Sequence, residues 1–281
     1  MINKKITVGI IGGTGQMGQF FKRLFEKNNC KVLVSSRNTK LKMEDCARQS
    51  DIVLVSVPID ATINVIKKIG KHMRKDSLLI DTTSIKKEPI EAMLRFSRCE
   101  VIGMHPVFGP NVSSIKNQTI VLCPSRTRKW FSWLIRVFKK NKAKIKITTP
   151  EKHDEMMSII QGLNHFSTLS VAHAMKSLKI KIEDTLDYTS PVYKLRMMMV
   201  GRILNQDPGL YGNIEMMNSK NKKTLEVYLD SAKKLQKIIK SKNKKKFLRY
   251  FNDCSKFFGK FRKEAEESSD YLIEMMVESK K

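Results

Sequence analysis

The sequence is poor in the features that stabilise small secreted proteins or anchor a chain in a membrane. It has 5 cysteines in 281 residues, and none forms a Cys-x-x-Cys pair. This excludes a disulfide framework and favours a cytoplasmic protein with reduced thiols. Neither the cysteines nor the 5 histidines show the spacing of metal ligands, so no metal site is predicted. No apolar run approaches the roughly 20 residues that a membrane-spanning helix needs, and we expect no membrane partner.

Acidic residues are scarce relative to basic ones. The chain has 27 Asp and Glu against 54 Lys and Arg, which gives a net charge of +27. Clustered lysines can neutralise the phosphates of a nucleic acid. Here, however, the basic residues are spread over the whole chain, and the densest runs, 139–144 and 240–246, are typical of solvated helix ends or loops. Nucleic-acid binding is therefore not favoured, whereas a positive field would draw small anionic substrates toward a cleft.

Two patterns divide the chain near residue 150. In residues 1–149, short β-branched runs alternate with helix-like segments, which predicts a Rossmann-type, doubly wound α/β domain. From Pro150 onward the strand signals stop and apolar residues recur at helical spacing, which predicts an all-helical domain over residues 150–281. The predicted strands are 6–11, 31–35, 52–57, 78–81, 101–104, 119–122 and 144–147.

A glycine motif directly follows the first predicted strand and opens a predicted helix. It reads Gly13-Thr14-Gly15-Gln16-Met17-Gly18. In this pattern the first glycine makes a tight turn, the second lets the backbone approach a pyrophosphate, and the third lets the helix pack closely. The free amides and dipole of the helix N-terminus then hold the phosphates. The motif predicts dinucleotide binding by these six residues; the alternative is a tight strand-to-helix turn without a ligand.

Three further residues stand at or just past the ends of predicted strands, where open α/β sheets bind ligands. Pro58 is placed to line a nicotinamide pocket, although a proline can also simply end a strand. His105, between a strand and a turn rich in glycine and proline, is a candidate general base with an ordinary pKa of about 6.5. Ser84 could donate or accept the hydrogen bond that fixes the tautomer of His105. The alternative for His105 is a structural, hydrogen-bonded histidine.

The end of the second predicted strand bears on the choice of cofactor. NAD-preferring Rossmann domains carry an acidic residue there that hydrogen bonds to the ribose, while an arginine accommodates the extra phosphate of NADP. This chain instead continues into Ser36 and Arg37, and its next acidic residue is Glu44. The sequence therefore favours NADP over NAD, unless Arg37 stacks on the adenine or points to solvent.

Four segments together resemble the prephenate dehydrogenase family of tyrosine biosynthesis. They are the glycine motif with Gly12, Ser84-Ile85-Lys86, the His-Pro-x-Phe-Gly-Pro pattern within residues 103–110, and residues 190–202, which end in Met-Val-Gly-Arg. The similarity is greatest to the dehydrogenase portion of the bifunctional chorismate mutase–prephenate dehydrogenases. The resemblance implies a Rossmann domain followed by a helical domain that forms a homodimer, with the active site between the domains.

The resemblance also implies a reaction and a set of site residues. The reaction is the oxidative decarboxylation of prephenate to 4-hydroxyphenylpyruvate with reduction of NAD or NADP. By resemblance, His105 accepts the hydroxyl proton or its hydrogen bond, and Ser84 orients the imidazole and the nicotinamide. Arg202 would bind a substrate carboxylate as a bidentate fork. Secondary substrate contacts would come from residues that could instead be ordinary helix-face residues: Lys86, Lys194, His165 and Tyr211.

Other functions remain open at this point. An arogenate dehydrogenase, or a cyclohexadienyl dehydrogenase that accepts both substrates, would carry the same motifs. A β-hydroxyacid dehydrogenase or a deazaflavin-dependent NADP reductase would share the glycine motif but not the pattern around His105. A dinucleotide-sensing or nucleic-acid-binding protein without enzymatic activity would use the positive charge and would not need His105.

Overall fold

The computed structural model describes residues 5–278 of the chain. The outermost residues of the two predicted domains, 1–4 and 279–281, lie outside the described residues. No helix within the described range is long and apolar enough to cross a membrane. The same range contains seven strands, namely β1 Thr7–Ile11, β2 Lys31–Ser35, β3 Ile52–Val55, β4 Leu78–Asp81, β5 Glu100–Pro106, β6 Thr119–Arg126 and β7 Lys144–Ile147.

The α-helices flank the strands in the first half and fill the second half. They are α1 Gln16–Lys27, α2 Met43–Gln49, α3 Ile59–Gly70, α4 Lys87–Phe96, α5 Trp130–Lys140, α6 Pro150–Met157, α7 Asn164–Ser177, α8 Ile182–Asp187, α9 Pro191–Leu204, α10 Pro208–Met217, α11 Asn221–Lys240, α12 Lys244–Phe258 and α13 Phe261–Glu278. A π-helical turn, Ser158–Leu163, joins α6 to α7. The all-helical second half that the sequence predicts is thereby confirmed.

The strands form a single sheet in the order β2-β1-β3-β4-β5-β6-β7. All neighbouring pairs are parallel except β5 and β6, which run antiparallel. Strands buried on both faces are expected to be continuously apolar, and every residue of β3 is buried. The predicted doubly wound α/β class is confirmed, with one antiparallel pair that strand periodicity does not reveal.

The two faces of the sheet are covered by different helices. One face packs against α1 and α5 through large side chains such as Phe21, Phe25 and Phe138. The other face packs against α2, α3 and α4 through side chains such as Ile66 and Met93. Because both faces are covered, ligands can reach this sheet only at its edges and strand ends.

The described chain forms two compact units. The first comprises the chain up to Ser158 together with Gly212–Ser219, and the second comprises Ile159–Tyr211 and the chain from Lys220 onward. The sheet-containing unit therefore includes α6 and the end of α10, which the sequence analysis placed in the helical domain. The helical spacing of apolar residues predicted from Pro150 onward is interrupted by the π-helical turn, where Ile159 and Ile160 are exposed.

Candidate active site

Three neighbouring parallel strands, β1, β3 and β4, end together at one edge of the sheet, and the fourth, β5, continues beyond them. Ile11 of β1 pairs with Val55 of β3, which pairs with Asp81 of β4, which in turn pairs with Gly103 of β5. His105 lies two residues beyond Gly103 on the longer β5. The register therefore brings to this edge the predicted residues that follow these strands, namely Gly13–Gly18, Pro58, Ser84 and His105.

The turn after β1 depends on close backbone approaches. Gly12 has φ +81°, and its amide donates to the carbonyl of Ser35 at 2.7 Å. A Cβ on Gly12 would lie 2.1 Å from the carbonyl oxygen of Ser56. The residue that makes the tight turn is thus Gly12, not Gly13 as the motif suggested. A Cβ on Gly18 would lie 2.6 Å from the oxygen of Gly12, so Gly18 does allow close packing of α1 on the turn.

The surface above this turn fits a pyrophosphate. Thr14, Gly15 and Gln16 are exposed, and Gly15 is the N-cap of α1, whose first amides have no partner inside the helix. A Cβ on Gly15 would meet only the oxygen of Gly12, at 3.3 Å, and would otherwise fill open space. Met17 turns inward and packs against the core on the α1 side of the sheet. Exposed backbone at a helix N-terminus is the kind of surface on which phosphates bind.

The loop after β2 contains an unsatisfied polar atom. The hydroxyl oxygen of Ser36 is buried and has no hydrogen-bond partner within the described residues. The loop backbone is fixed because the Ser36 amide donates to Thr39 Oγ1 at 2.8 Å, and that hydroxyl donates to the Ser36 carbonyl. Arg37 is exposed beside it. A buried hydroxyl without a partner is rare, and here a ligand hydroxyl or phosphate would satisfy it.

Pro58 and Ser84 flank the next two strand ends. Pro58 is exposed and is the N-cap of α3. Ser84 is half-buried in the bend between β4 and α4. Ser84 is not the residue that holds Nδ1 of His105, contrary to our expectation, because another histidine occupies that position.

His105 is held by His153 at the start of α6. Its side chain is buried, and its Nδ1 lies 2.8 Å from Nε2 of His153. Nδ1 of His153 in turn lies 2.8 Å from Oδ1 of Asp154. Neither His153 nor Asp154 was singled out as a site residue from the sequence. The three side chains form a continuous hydrogen-bonded chain that ends at the imidazole of His105.

Asp154 is anchored by the N-terminus of α4. Its two carboxylate oxygens accept hydrogen bonds from the amides of Lys86, at 2.7 Å, and Lys87, at 3.0 Å. A carboxylate at this position satisfies free amides of the helix and interacts favourably with the helix dipole. The Asp154 carbonyl also accepts from Asn218 Nδ2 at 2.8 Å. These contacts fix α6 against the N-terminus of α4 and thereby fix His153.

Burial controls the charge of both histidines. Burial lowers the pKa of His105 well below its usual value, and the neighbouring His153 and the Lys86 cation lower it further. Burial also lowers the pKa of His153, although the hydrogen bond to Asp154 opposes this shift. Both imidazoles are therefore neutral near pH 7, and a neutral imidazole is able to accept a proton.

Lys86 is a structural residue in this fold. Its side chain is fully buried, and its ammonium forms an ion pair with the equally buried Asp81. Thr83 Oγ1 donates to the same Asp81 oxygen at 2.6 Å. The suggested contact between Lys86 and substrate is therefore wrong, because the ammonium of Lys86 is buried and paired with Asp81.

The remaining predicted residues belong to the second unit. His165 is buried at the start of α7, and its ring centroid lies 4.6 Å from that of Tyr211. Arg202 is exposed near the end of α9, and Lys194 is half-buried near its start. The structure thus brings together His165 and Tyr211, and it places Lys194 and Arg202 on the same helix, α9.

Comparisons with known sequences cover both halves of the chain. Residues 26–147 match the nucleotide-binding domain of prephenate dehydrogenase, and residues 149–253 match its dimerization domain. The chain is 35% identical to a probable arogenate/prephenate dehydrogenase of Methanocaldococcus jannaschii, over 97% of this chain and 66% of that protein. It is 30% identical to the T-protein of Haemophilus influenzae, over 94% of this chain and 70% of that protein. The chain therefore spans about two thirds of the length of these relatives.

Solved structures support the same fold. Prephenate dehydrogenase from A. aeolicus, in complex with hydroxyphenyl propionate and NAD+, superposes with a TM-score of 0.73 at 18% identity, covering 91% of this chain and 98% of that one. Arogenate dehydrogenase from Synechocystis gives a TM-score of 0.70 at 18% identity, covering 91% and 100%. Since the sequence matches span both halves and one 30% identical relative is covered over 70% of its length, the chain belongs to the prephenate dehydrogenase family.

Proposed function

We propose that this protein is an NAD(P)-dependent prephenate dehydrogenase that forms 4-hydroxyphenylpyruvate. The observation that carries the proposal is His105, a buried, neutral imidazole held by a second histidine at the sheet edge where β1 also ends in its glycine turn. A general base must be unprotonated at the working pH and fixed in direction. Membership of the family supplies the substrate class.

The substrate's chemistry matches a single base. Prephenate carries a hydroxyl on the ring carbon that is oxidised, together with a ring carboxylate and a pyruvyl carboxylate. His105 takes a share of the hydroxyl proton as hydride leaves that carbon, and it returns the proton to the oxygen when the ring becomes a phenol. Loss of the ring carboxylate as carbon dioxide is favourable because the product is aromatic. The bound nicotinamide, when present, supplies the hydride acceptor.

The first unit offers the groups that would hold a dinucleotide. We propose that the exposed backbone of Thr14, Gly15 and Gln16 binds the pyrophosphate, and that Gly13, Met17 and Gly18 support this backbone by packing behind it. The orphaned hydroxyl of Ser36 and the guanidinium of Arg37 are proposed to bind the ribose end. Pro58 and Ser84 are proposed to flank the nicotinamide, since they follow β3 and β4 at the same edge.

The function is tested by turnover of the purified protein with prephenate. We expect dinucleotide reduction that is stoichiometric with the release of carbon dioxide. Arogenate, whose side chain carries an ammonium group in place of the keto group, is the second substrate to assay, because one similar protein is named an arogenate/prephenate dehydrogenase. Absence of turnover with both substrates, in a protein that binds dinucleotide, would refute the proposed activity and favour a sensing role.

Arg202 is proposed to bind a substrate carboxylate. Arg202→Ala should raise the KM for prephenate by about 10- to 150-fold, the loss of about 1.5–3 kcal/mol expected when a charged hydrogen-bond partner is removed. The dissociation constant of the dinucleotide should change little. The matched control is Arg196→Ala, since Arg196 is an exposed arginine on the same helix, α9. If Arg202→Ala weakened dinucleotide binding instead, Arg202 would not be a substrate ligand.

We propose a preference for NADP over NAD. No carboxylate lies between β2 and Glu44 to repel a 2′-phosphate, and Ser36 and Arg37 can both donate hydrogen bonds to one. Arg37→Ala should lower kcat/KM for NADP roughly 10-fold, in line with the loss of one hydrogen bond to a charged group, and should leave kcat/KM for NAD nearly unchanged. Steady-state kinetics with both dinucleotides test this. A clear NAD preference in the unmodified protein would contradict it.

Assembly as a homodimer in the cytoplasm is also proposed. Residues 149–253 match a dimerization domain, and α12 and α13 expose large apolar side chains, among them Phe251, Phe257 and Phe258. Contiguous exposed apolar side chains mark interaction surfaces.

His165 and Tyr211 are proposed to face the substrate ring, and Lys194 is proposed as a secondary cation that binds the substrate.

A further inference from the structure

We propose that His153 is a positioning residue that fixes the tautomer of His105, so that Nε2 of His105 is the atom that accepts the substrate proton. The proposal rests on the proposed function, since it assigns a role within that reaction. It is carried by the hydrogen-bonded chain from the α4 amides through Asp154 and His153 to His105.

The direction in which these hydrogen bonds are donated is set at Asp154. Its carboxylate already accepts hydrogen bonds from two backbone amides, those of Lys86 and Lys87, and an ionised carboxylate has no proton to donate. Nδ1 of His153, at 2.8 Å from Oδ1, must therefore be the donor. The proton of a neutral His153 consequently lies on Nδ1, and its Nε2 carries a lone pair.

The lone pair on Nε2 of His153 then determines which nitrogen of His105 carries the proton. Nε2 of His153 lies 2.8 Å from Nδ1 of His105, and two lone pairs at this distance would repel each other. Nδ1 of His105 must carry the proton and donate it to His153. The other nitrogen of His105, Nε2, is left unprotonated. The hydrogen bond made by one imidazole nitrogen thus selects the chemistry of the other.

The groups around the pair favour this arrangement. His105 contacts His153, which contacts Asp154; the Lys86 ammonium acts electrostatically on both imidazoles, and the Asp81 carboxylate acts on His153. Burial and the Lys86 charge oppose protonation of His153, and a neutral His153 is the condition for its Nε2 to accept.

Two substitutions of His153 separate positioning from a merely structural role. His153→Phe keeps the ring volume but removes the acceptor, and it should lower kcat by about 10- to 1,000-fold, with the KM for prephenate and the dissociation constant of the dinucleotide changed less than about threefold. His153→Gln offers an amide oxygen as acceptor and should recover much of that loss. The matched control is His72→Phe, since His72 lies beyond α3 and its Nδ1 contacts Arg48.

The tautomer itself gives a readout that does not depend on turnover. Nitrogen-15 NMR of the histidine rings in the wild-type enzyme should show Nδ1 of His105 protonated and Nε2 unprotonated near pH 7. In His153→Phe the proton should move largely to Nε2, the site favoured by an isolated imidazole. A wild-type His105 protonated at Nε2, or a His153→Phe enzyme with unchanged kcat, would overturn the proposal.

The wild-type spectrum tests the assignment even where a variant does not fold. Failure of the proposed function gives a different result: a protein with His105 protonated at Nδ1 that turns over neither prephenate nor arogenate. That result would support the assigned tautomer of His105 and refute the proposed dehydrogenase reaction.

Discussion

His105→Asn is expected to lower kcat by about 10²–10⁴ and to leave the KM for prephenate nearly unchanged. Asparagine fits within the volume of the imidazole, and its amide can still hydrogen bond to Nε2 of His153, so the sheet edge should remain folded. The amide cannot accept a proton near neutral pH, however. The variant therefore loses the base and keeps the binding surface.

Steady-state kinetics with prephenate, together with thermal unfolding, check this expectation. His72→Asn is the matched control, because it makes the same chemical change at a histidine hydrogen bonded to Arg48. The pH dependence gives a second test. Since burial holds the pKa of His105 well below 6.5, the acid limb of kcat/KM in the unmodified enzyme should lie below the ordinary range of histidine. Full activity in His105→Asn would remove this residue from the mechanism.

Lys86→Met should destabilise the protein by about 3–5 kcal/mol, the cost typical of breaking a buried ion pair by removing one partner. Methionine fills much of the space of the lysine stem, so the loss arises at Asp81. That carboxylate stays buried, with the Thr83 amide and hydroxyl as its remaining polar contacts. Urea unfolding, followed by circular dichroism, measures the change in unfolding free energy.

The double variant Asp81→Asn with Lys86→Met supplies the control. It removes both charges of the ion pair, and the asparagine oxygen can still accept from Thr83, so most of the lost stability should return. In folded Lys86→Met, removal of a positive charge near His105 should raise its pKa and move the acid limb of kcat/KM to higher pH. If the unfolding free energy of the single variant Lys86→Met lay within about 1 kcal/mol of wild type, by contrast, the buried Asp81 would not need its ion-pair partner.

Local patterns in the sequence predict the architecture of the first unit closely. Continuous apolar runs place β3 and β4 because a strand buried on both faces needs no polar alternation. The glycine motif predicts the turn and the start of α1, since the close backbone contacts that exclude a Cβ on Gly18 involve Gly12 and Gly13 of the same stretch. The sequence does not identify Gly12 as the turn glycine, because each of the four glycines in residues 12–18 could adopt positive φ.

The sequence by itself determined which residues lie at the carboxyl edge of the sheet, because the end of each strand is encoded locally. Only the tertiary structure decided how those residues interact. His153 lies 48 residues from His105, and Asp154 lies 68 residues from Lys86, so neither contact has a signature in local spacing. The burial of Lys86 likewise follows from its ion pair with Asp81 and from the helices that cover the sheet. Hydrogen bonds, burial and the resulting pKa shifts arise from segments brought together by the fold, and they determine that His105 is a neutral imidazole whose Nδ1 is held by His153 rather than by Ser84.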